Sequence, residues 1–274
     1  MSGLLQGKTG IITGALDEQS IAWKVAEKVH ELGARIVLSN AHVALRMGKI
    51  QELGEKLNAP IIGADATNSE DLENLYKASM EALGGPLDFV LHSIGMSPNV
   101  RKNRAYTDLK YDWYLKTLDI SALSFHRMLQ AAWQLDALKE GASVLGLSYI
   151  AAQRSFPDYS DMAEAKALLE SIARSFGYHY GMRKNVRVNT ISQSPTKTTA
   201  GSGVGGFDAF FDYANDMSPL GNASAESCAD FCVSMVSDLT RMVTMQNIYH
   251  DGGFSSVGIS SKVMHKFAPE PEVD

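Results

Sequence analysis

Cysteine is scarce: Cys228 and Cys232 are the only two in 274 residues. They stand four apart in a helical pattern, and two ligands do not make a zinc site. The pair reads instead as two small buried hydrophobes on one helix face. So little cysteine fits a reducing compartment. No apolar stretch approaches the ~20 residues that span a bilayer. Residues Met1–Gly14 lack the charged start and long apolar run of a signal peptide. A soluble, cytoplasmic protein with no membrane partner is expected. Long basic runs are missing too, with 25 Lys and Arg against 31 Asp and Glu and a net charge of −6. That balance excludes a nucleic-acid footprint. It leaves room for an anionic carrier-bound substrate if a few bases gather at one mouth.

What is present is ordinary for a chain that buries a sizeable core: 45% hydrophobic and 20% charged residues. Short apolar runs alternate with longer helical stretches, the pattern of βαβ units and a parallel sheet. Strands are predicted at Thr9–Thr13, Arg35–Leu38, Pro60–Ala64, Phe89–Ser93, Ser143–Ser148, Val186–Ile191 and Gln246–His250. Helices are predicted to start near Ser20, Leu45, Ser69, Asp112, Asp158, Phe207 and Ala225. Glu70 and Asp71 favour a helix start at Ser69, and Gly33 marks a C-terminal stop after Leu32. The expected fold is α/β: a single Rossmann-like, doubly wound domain over residues 1–265, with about seven parallel strands and helices on both faces. Residues 266–274 hold Pro269, Pro271 and three acids and read as a flexible tail.

The turn after the first strand normally holds a pyrophosphate, because helix N-terminal amides attract anions. The usual three-glycine fingerprint is absent; only Gly14 is present, followed by Ala15 to Ala22. Small Ser20 and Ala22 can serve the same steric purpose, or the segment is a plain loop with an N-capping serine. No acid follows the second strand, which ends Leu38-Ser39-Asn40-Ala41. Arg46 and Lys49 either meet a 2′-phosphate or form a solvated helix face. Asp65-Ala66 and His92-Ser93-Ile94-Gly95 fall at carboxyl ends of strands, where ligands of such sheets bind. Gly95 allows close backbone approach.

Beyond the fifth strand comes Tyr159, with Lys166 seven residues later. On a helix that spacing is two turns, roughly 10 Å of rise, and returns to within about 20° of the starting direction. Both side chains are therefore expected on one helix face at the cofactor. A nearby ammonium strengthens a phenol as hydrogen-bond donor. Taken alone the pair also fits a surface coincidence.

With Thr13-Gly14 at one end and Tyr159…Lys166 in the middle, nearly the whole chain resembles the short-chain dehydrogenase/reductase superfamily. Within it the chain resembles the enoyl-acyl carrier protein reductases. Ketone reductases carry a serine thirteen residues before the tyrosine, where Gly146 stands here; this family has a second tyrosine ten residues before it, as Tyr149 is here. The altered turn from Gly14 to Ser20-Ile21-Ala22, the run His92-Ser93-Ile94-Gly95, Ser97-Pro98, Met162, and His250-Asp251-Gly252-Gly253-Phe254 match the family as well. Two departures are Ser194 ahead of Pro195, where Gly-Pro is frequent, and the charge of Glu164 on the helix carrying Lys166.

The resemblance implies reduction of the C2=C3 bond of trans-2-enoyl thioesters on acyl carrier protein, the last step of each fatty-acid elongation cycle. It implies Tyr159, Lys166 and Tyr149 as catalytic residues. Gly14, Ser20, Ile21, Asp65, Ala66, Ile94, Lys166 and Thr196, Lys197, Thr198, Thr199 and Ala200 are implied to hold the cofactor. Ser97, Met162 and Phe207 are implied to meet the substrate. No metal is expected. NADH is favoured over NADPH because no basic pair directly follows the second strand, and a homotetramer is implied. The small-residue segment 194–206 ahead of Phe207-Asp208-Ala209-Phe210-Phe211 reads as a lid with an apolar helix, or as an ordinary loop and amphipathic helix. Two rival readings stay in view: a carbonyl reductase of the same superfamily, and a non-catalytic nucleotide-sensing protein.

Overall fold

The computed structural model describes residues 3–199, 201 and 206–268. Among them seven strands form one parallel sheet in the order β3-β2-β1-β4-β5-β6-β7. The strands are β1 Thr9–Thr13, β2 Arg35–Asn40, β3 Ile61–Gly63, β4 Leu87–His92, β5 Leu138–Ser148, β6 Arg187–Gln193 and β7 Asn247–His250. β1 and β4 lie side by side although β2 and β3 intervene in the chain. This reversal of strand order opens a crevice at the carboxyl ends, the switch point of a doubly wound sheet.

The helices follow in chain order: α1 Ile21–Glu31, α2 His42–Met47, α3 Ile50–Leu57, α4 Ser69–Leu83, α5 Pro98–Arg101, α6 Tyr111–Leu118 and α7 Ser124–Gln134. Then come α8 Met162–Lys184, α9 Phe207–Met217, α10 Ala225–Val236 and α11 Ser261–His265. Strand side chains alternate between the two faces of the sheet. Ile12, Leu38, Phe89 and Leu91 pack on one face with Trp23, Val29, Leu53 and Cys232 from α1, α3 and α10. Ile11, Val37, Val90 and Val144 pack on the other with Tyr76, Phe125, Leu169 and Tyr180 from α4, α7 and α8. Cys228 and Cys232 are fully buried, as small hydrophobes should be. Arg187, itself buried, donates to the carbonyls of Met235, Ser237 and Thr240 and so ties β6 to the chain leaving α10.

Two local expectations are corrected, and two details are added. The helix expected near Leu45 begins at His42 and breaks at Gly48, where an added Cβ would lie 2.7 Å from the Leu16 side chain and carbonyl. α4 starts at Ser69 as expected, and its N-cap is Asn68, whose side chain accepts from the amides of Glu70 and Asp71. A π-helical turn, Asp119–Leu123, links α6 to α7. Finally, α8 starts at Met162 rather than near Asp158, so Tyr159 precedes it on a separate 3-10 turn, Pro157–Tyr159. The stop after α1 stands, with Gly33 at φ 98°. In the expected tail, Lys266 pairs with Asp216 at 2.6 Å, and residues 269–274 lie outside the described residues. No described helix is long and apolar enough to cross a membrane.

Candidate active site

At the carboxyl ends of β4, β5 and β6 lies a cavity of about 350 Å³. Among the expected site residues, Ile21, Ile94, Ser97, Tyr149, Tyr159, Met162, Lys166, Thr196, Thr198 and Phe207 line it. Gly14, Ser20, Asp65, Ala66, Lys197 and Thr199 stand outside its walls. Ala200 lies outside the described residues. Sequence reasoning missed Met96, Val100, Arg101, Leu147, Ser148, Phe156, Pro157 and Gln193. Leu147, Ser148 and Gln193 had a readable signal, since they close β5 and β6 at their carboxyl ends. Phe156 and Arg101 had none.

Lys166 sits in the first turns of α8 and is only 8% exposed. Its ammonium donates to the Leu147 carbonyl at 2.7 Å. Burial pulls its pKa down to about 8, opposed by Glu170 one turn further along α8. The Glu170 carboxylate accepts from Ser148 Oγ at 2.6 Å and Gln153 Nε2 at 3.1 Å. The Ser148 hydroxyl is thereby committed, and it is not free to polarise a substrate carbonyl.

Tyr149 and Tyr159 face each other with ring centroids 5.0 Å apart. Phe156 and Phe210 extend this aromatic wall, at 5.5 Å and 6.4 Å from Tyr149 and 5.3 Å from each other. Phe254, from the closing motif, packs against Phe156 and Phe210. Burial pushes both phenols above their ordinary pKa, so each is a neutral hydrogen-bond donor. The Tyr149 hydroxyl is buried with no partner among the described residues. Such a group costs free energy until a ligand oxygen meets it.

The expectation that one continuous helix places Tyr159 above Lys166 is overturned. Ser160, at φ 47° and ψ −136°, separates the 3-10 turn from α8. Convergence arises from this turn and from the elements packed against it, not from helical periodicity.

The first βα turn is built for close approach. Gly14 has φ +89°, and a Cβ there would lie 2.0 Å from the Ser93 carbonyl oxygen. The Ser20 hydroxyl is engaged inside the turn, donating to the Asp17 carbonyl at 2.7 Å and accepting from the Leu16 amide at 3.2 Å. It makes no cap bond. Asn40, at the end of β2, donates to the Ala15 carbonyl at 2.9 Å. Thr199 donates to Asp17 at 2.5 Å, joining the segment after β6 to this turn. Asp65 is exposed beyond β3, and its carboxylate accepts from the Thr67 amide and hydroxyl. Arg46 and Lys49 are exposed, with Lys49 3.9 Å from Glu18.

These features fit a dinucleotide. A Cβ on Gly95 would meet nothing closer than the Lys166 Nζ at 3.7 Å, so open space lies beside the ammonium. With one of its three protons bound to protein, Lys166 has two left for hydroxyls of a ligand. From β4 to β3 three strand spacings span roughly 14 Å, the scale on which an extended dinucleotide reaches Asp65 and Ala66. His92, by contrast, is core: fully buried, 2.8 Å from Ser124 Oγ, its pKa lowered to about 3 by burial and by Lys166. His250 Nδ1 lies 2.8 Å from Gln193 Oε1 and holds that cavity residue in place. No cluster of metal-binding side chains occurs among the described residues.

Residues 14–255 match the model of the enoyl-(acyl carrier protein) reductase family. The chain is 34% identical over 262 residues to enoyl-[acyl-carrier-protein] reductase [NADH] 1 of Rhizobium meliloti (strain 1021), covering 95% of this chain and 94% of that protein. It is 32% identical over 265 residues to the NADH-type FabI of Rickettsia bellii (strain RML369-C), covering 96% and 99%. The crystal structure of the FabI–NADH complex from Alistipes finegoldii superposes with a TM-score of 0.96 at 60% identity, covering 99% of this chain and 97% of that one. The matched length, the aromatic pair above a buried lysine and the doubly wound sheet agree: this chain belongs to the enoyl-acyl carrier protein reductase family.

Proposed function

We propose that the protein is an NADH-dependent enoyl-[acyl-carrier-protein] reductase that saturates trans-2-enoyl thioesters in fatty-acid synthesis. The observation that carries this reading is the pair of facing phenols, Tyr149 and Tyr159, in a cavity where Lys166 is buried. Relatives bearing the NADH enoyl reductase name over nearly their full length support it. Bound NADH supplies a hydride to the β-carbon of the enoyl group. Negative charge then grows on the thioester oxygen, where Tyr159 donates a hydrogen bond and stabilises the enolate until a proton from water reaches C2 and completes the saturation. Lys166 orients the nicotinamide half through ribose hydroxyls and adds positive charge beside the phenol.

The remaining roles belong to the same reading. Tyr149, Met162 and Phe207 wall the acyl group, and the Ser97 backbone meets it, since the Ser97 side chain is spent on Asp161 and the Val100 amide. Gly14, Ser20 and Ile21 shape the pyrophosphate turn, and Asp65 and Ala66 flank the adenosine half. Ile94 and the segment Thr196–Thr199 cover the nicotinamide; Ala200, expected with them, lies outside the described residues. We assign residues 1–265 to one catalytic domain with a tail beyond. Cytoplasmic location and a homotetramer belong to the same proposal, the latter tested by light scattering.

The decisive assay follows nicotinamide absorbance with crotonyl and acetoacetyl thioesters side by side. Turnover of crotonyl thioester alone is expected. Turnover of the ketoacyl thioester alone would return the protein to the carbonyl reductases. Gly146 supports the first outcome: it is absent from the cavity wall, and a Cβ there would point at Leu169 and Phe125. NADH binding without turnover of either thioester would make it a sensor.

A further inference from the structure

Asp161, between the Tyr159 turn and α8, is fully buried. Ser97 Oγ donates to it at 2.6 Å, Asn99 Nδ2 at 2.7 Å, and Thr117 Oγ1 stands 2.9 Å away. These donors come from the N-cap of α5, from α5 itself and from α6. No cation pairs with Asp161 among the described residues, so neutral donors meet the cost of burying its charge: Ser97 and Asn99, and Thr117, whose one hydroxyl proton is shared with the Trp113 carbonyl at 2.9 Å. Tyr159 packs against a small apolar cluster of Val100 from α5 and Met162 and Ala165 from α8, which Leu118 of α6 also covers, so the elements tied by Asp161 are those around the phenol. Ser160, joining Tyr159 to Asp161, holds φ 47°, a backbone state that a side-chain-bearing residue keeps only where its surroundings enforce it. Its hydroxyl is buried without a partner among the described residues, so it does not enforce the state itself.

We propose that Asp161 is a positioning residue for Tyr159. Its carboxylate clamps α5 and α6 to the start of α8, holds Ser160 in its left-handed state, and so fixes the phenol over the cavity. The clamp also makes the Ser97–Val100 wall and the Tyr159 wall one rigid unit. This inference rests on the reading of Tyr159 as donor to the thioester oxygen.

Asp161→Asn keeps the shape but turns one accepting oxygen into a donor facing other donors. The D161N enzyme should lose about tenfold or more in kcat with crotonyl thioester, since an ångström of misplacement is costly. Its KM and its Kd for NADH should stay within twofold. In a Y159F background the same change should cost less than twofold, because the group it positions is gone. Equal losses in both backgrounds, or a kcat within twofold of wild type, would overturn the proposal. If D161N fails to fold, T117V removes one donor from the clamp and should give a smaller loss with the same dependence on Tyr159. Where no enoyl thioester is reduced at all, the functional reading fails, and a crystal structure of the variant still decides the clamp. Tyr159 displaced and Ser160 relaxed from positive φ support it; an unmoved ring overturns it.

Discussion

Lys166 and His92 show what burial does to a titratable group when one serves the site and the other the core. Lys166 keeps a polar partner and an open space, and its pKa falls to about 8. In the proposed role protonated Lys166 attracts the anionic cofactor, so NADH affinity of the free protein should weaken progressively as pH rises above about 8. Fluorescence titration across pH 7–10 checks this, and a K166M variant should bind weakly and lose the dependence. His92 stays neutral when folded, down to about pH 3, but takes a proton below about 6.5 when unfolded. Stability therefore falls as pH drops from 6.5, by about 2 kcal/mol at pH 5. Urea unfolding of wild type and H92N at pH 7 and 5 should show the variant less acid-sensitive; parallel losses would remove His92 as the cause. For Tyr159→Phe, kcat should fall on the order of 100-fold with NADH binding unchanged, the cost of one oxyanion donor. Retained turnover would take the phenol out of the chemistry.

Among elements, the β1–α1 turn is the least tolerant. Gly14 adopts positive φ where a methyl would overlap the Ser93 carbonyl, backbone against backbone. Gly14→Ala should cost about 2–4 kcal/mol of unfolding free energy, from strain plus overpacking, and should weaken NADH binding as β1 and β4 part. An unchanged urea midpoint would contradict the crowding. The strands were legible in the sequence because each is a short apolar run bounded by polar or glycine residues, and all seven appear at the expected places. Helix starts were less legible. Asn68 and Ser69 are both good caps, and only the bonds actually formed choose between them. The break at Gly48 depends on Leu16, thirty-two residues away, which no local pattern reveals.

Over the whole molecule, the cavity joins walls from distant parts of the chain: Val100, Tyr149, Phe156, Phe207 and Phe210. It is largely apolar, so affinity for the thioester should rise as acyl carbons are added until the space is filled, by about 0.8 kcal/mol per buried CH₂. Phe210→Ala should flatten this dependence, lowering kcat/KM for an octenoyl thioester by roughly 10-fold while sparing crotonyl thioester. A uniform loss across chain lengths would mean that Phe210 supports folding rather than the acyl chain. Lys197 and Asp208, 3.8 Å apart near the cavity wall, compensate each other's charge. Arg101, exposed on that wall, has no ion-pair partner among the described residues, so an anionic carrier would meet net positive charge there.

Read alone, the chain determined its class, its strands and its family, and it singled out Tyr149, Tyr159 and Lys166, which line one cavity, because periodicity and short motifs are local properties of a polymer. It misassigned how Tyr159 and Lys166 come together, since a helical wheel assumes a helix that does not start until Met162. That convergence, the buried Asp161 clamp, and the separation of Gly146 from the cavity belong to tertiary structure. Each depends on side chains meeting across segments far apart in sequence, where packing and the satisfaction of buried polar groups outweigh local preference.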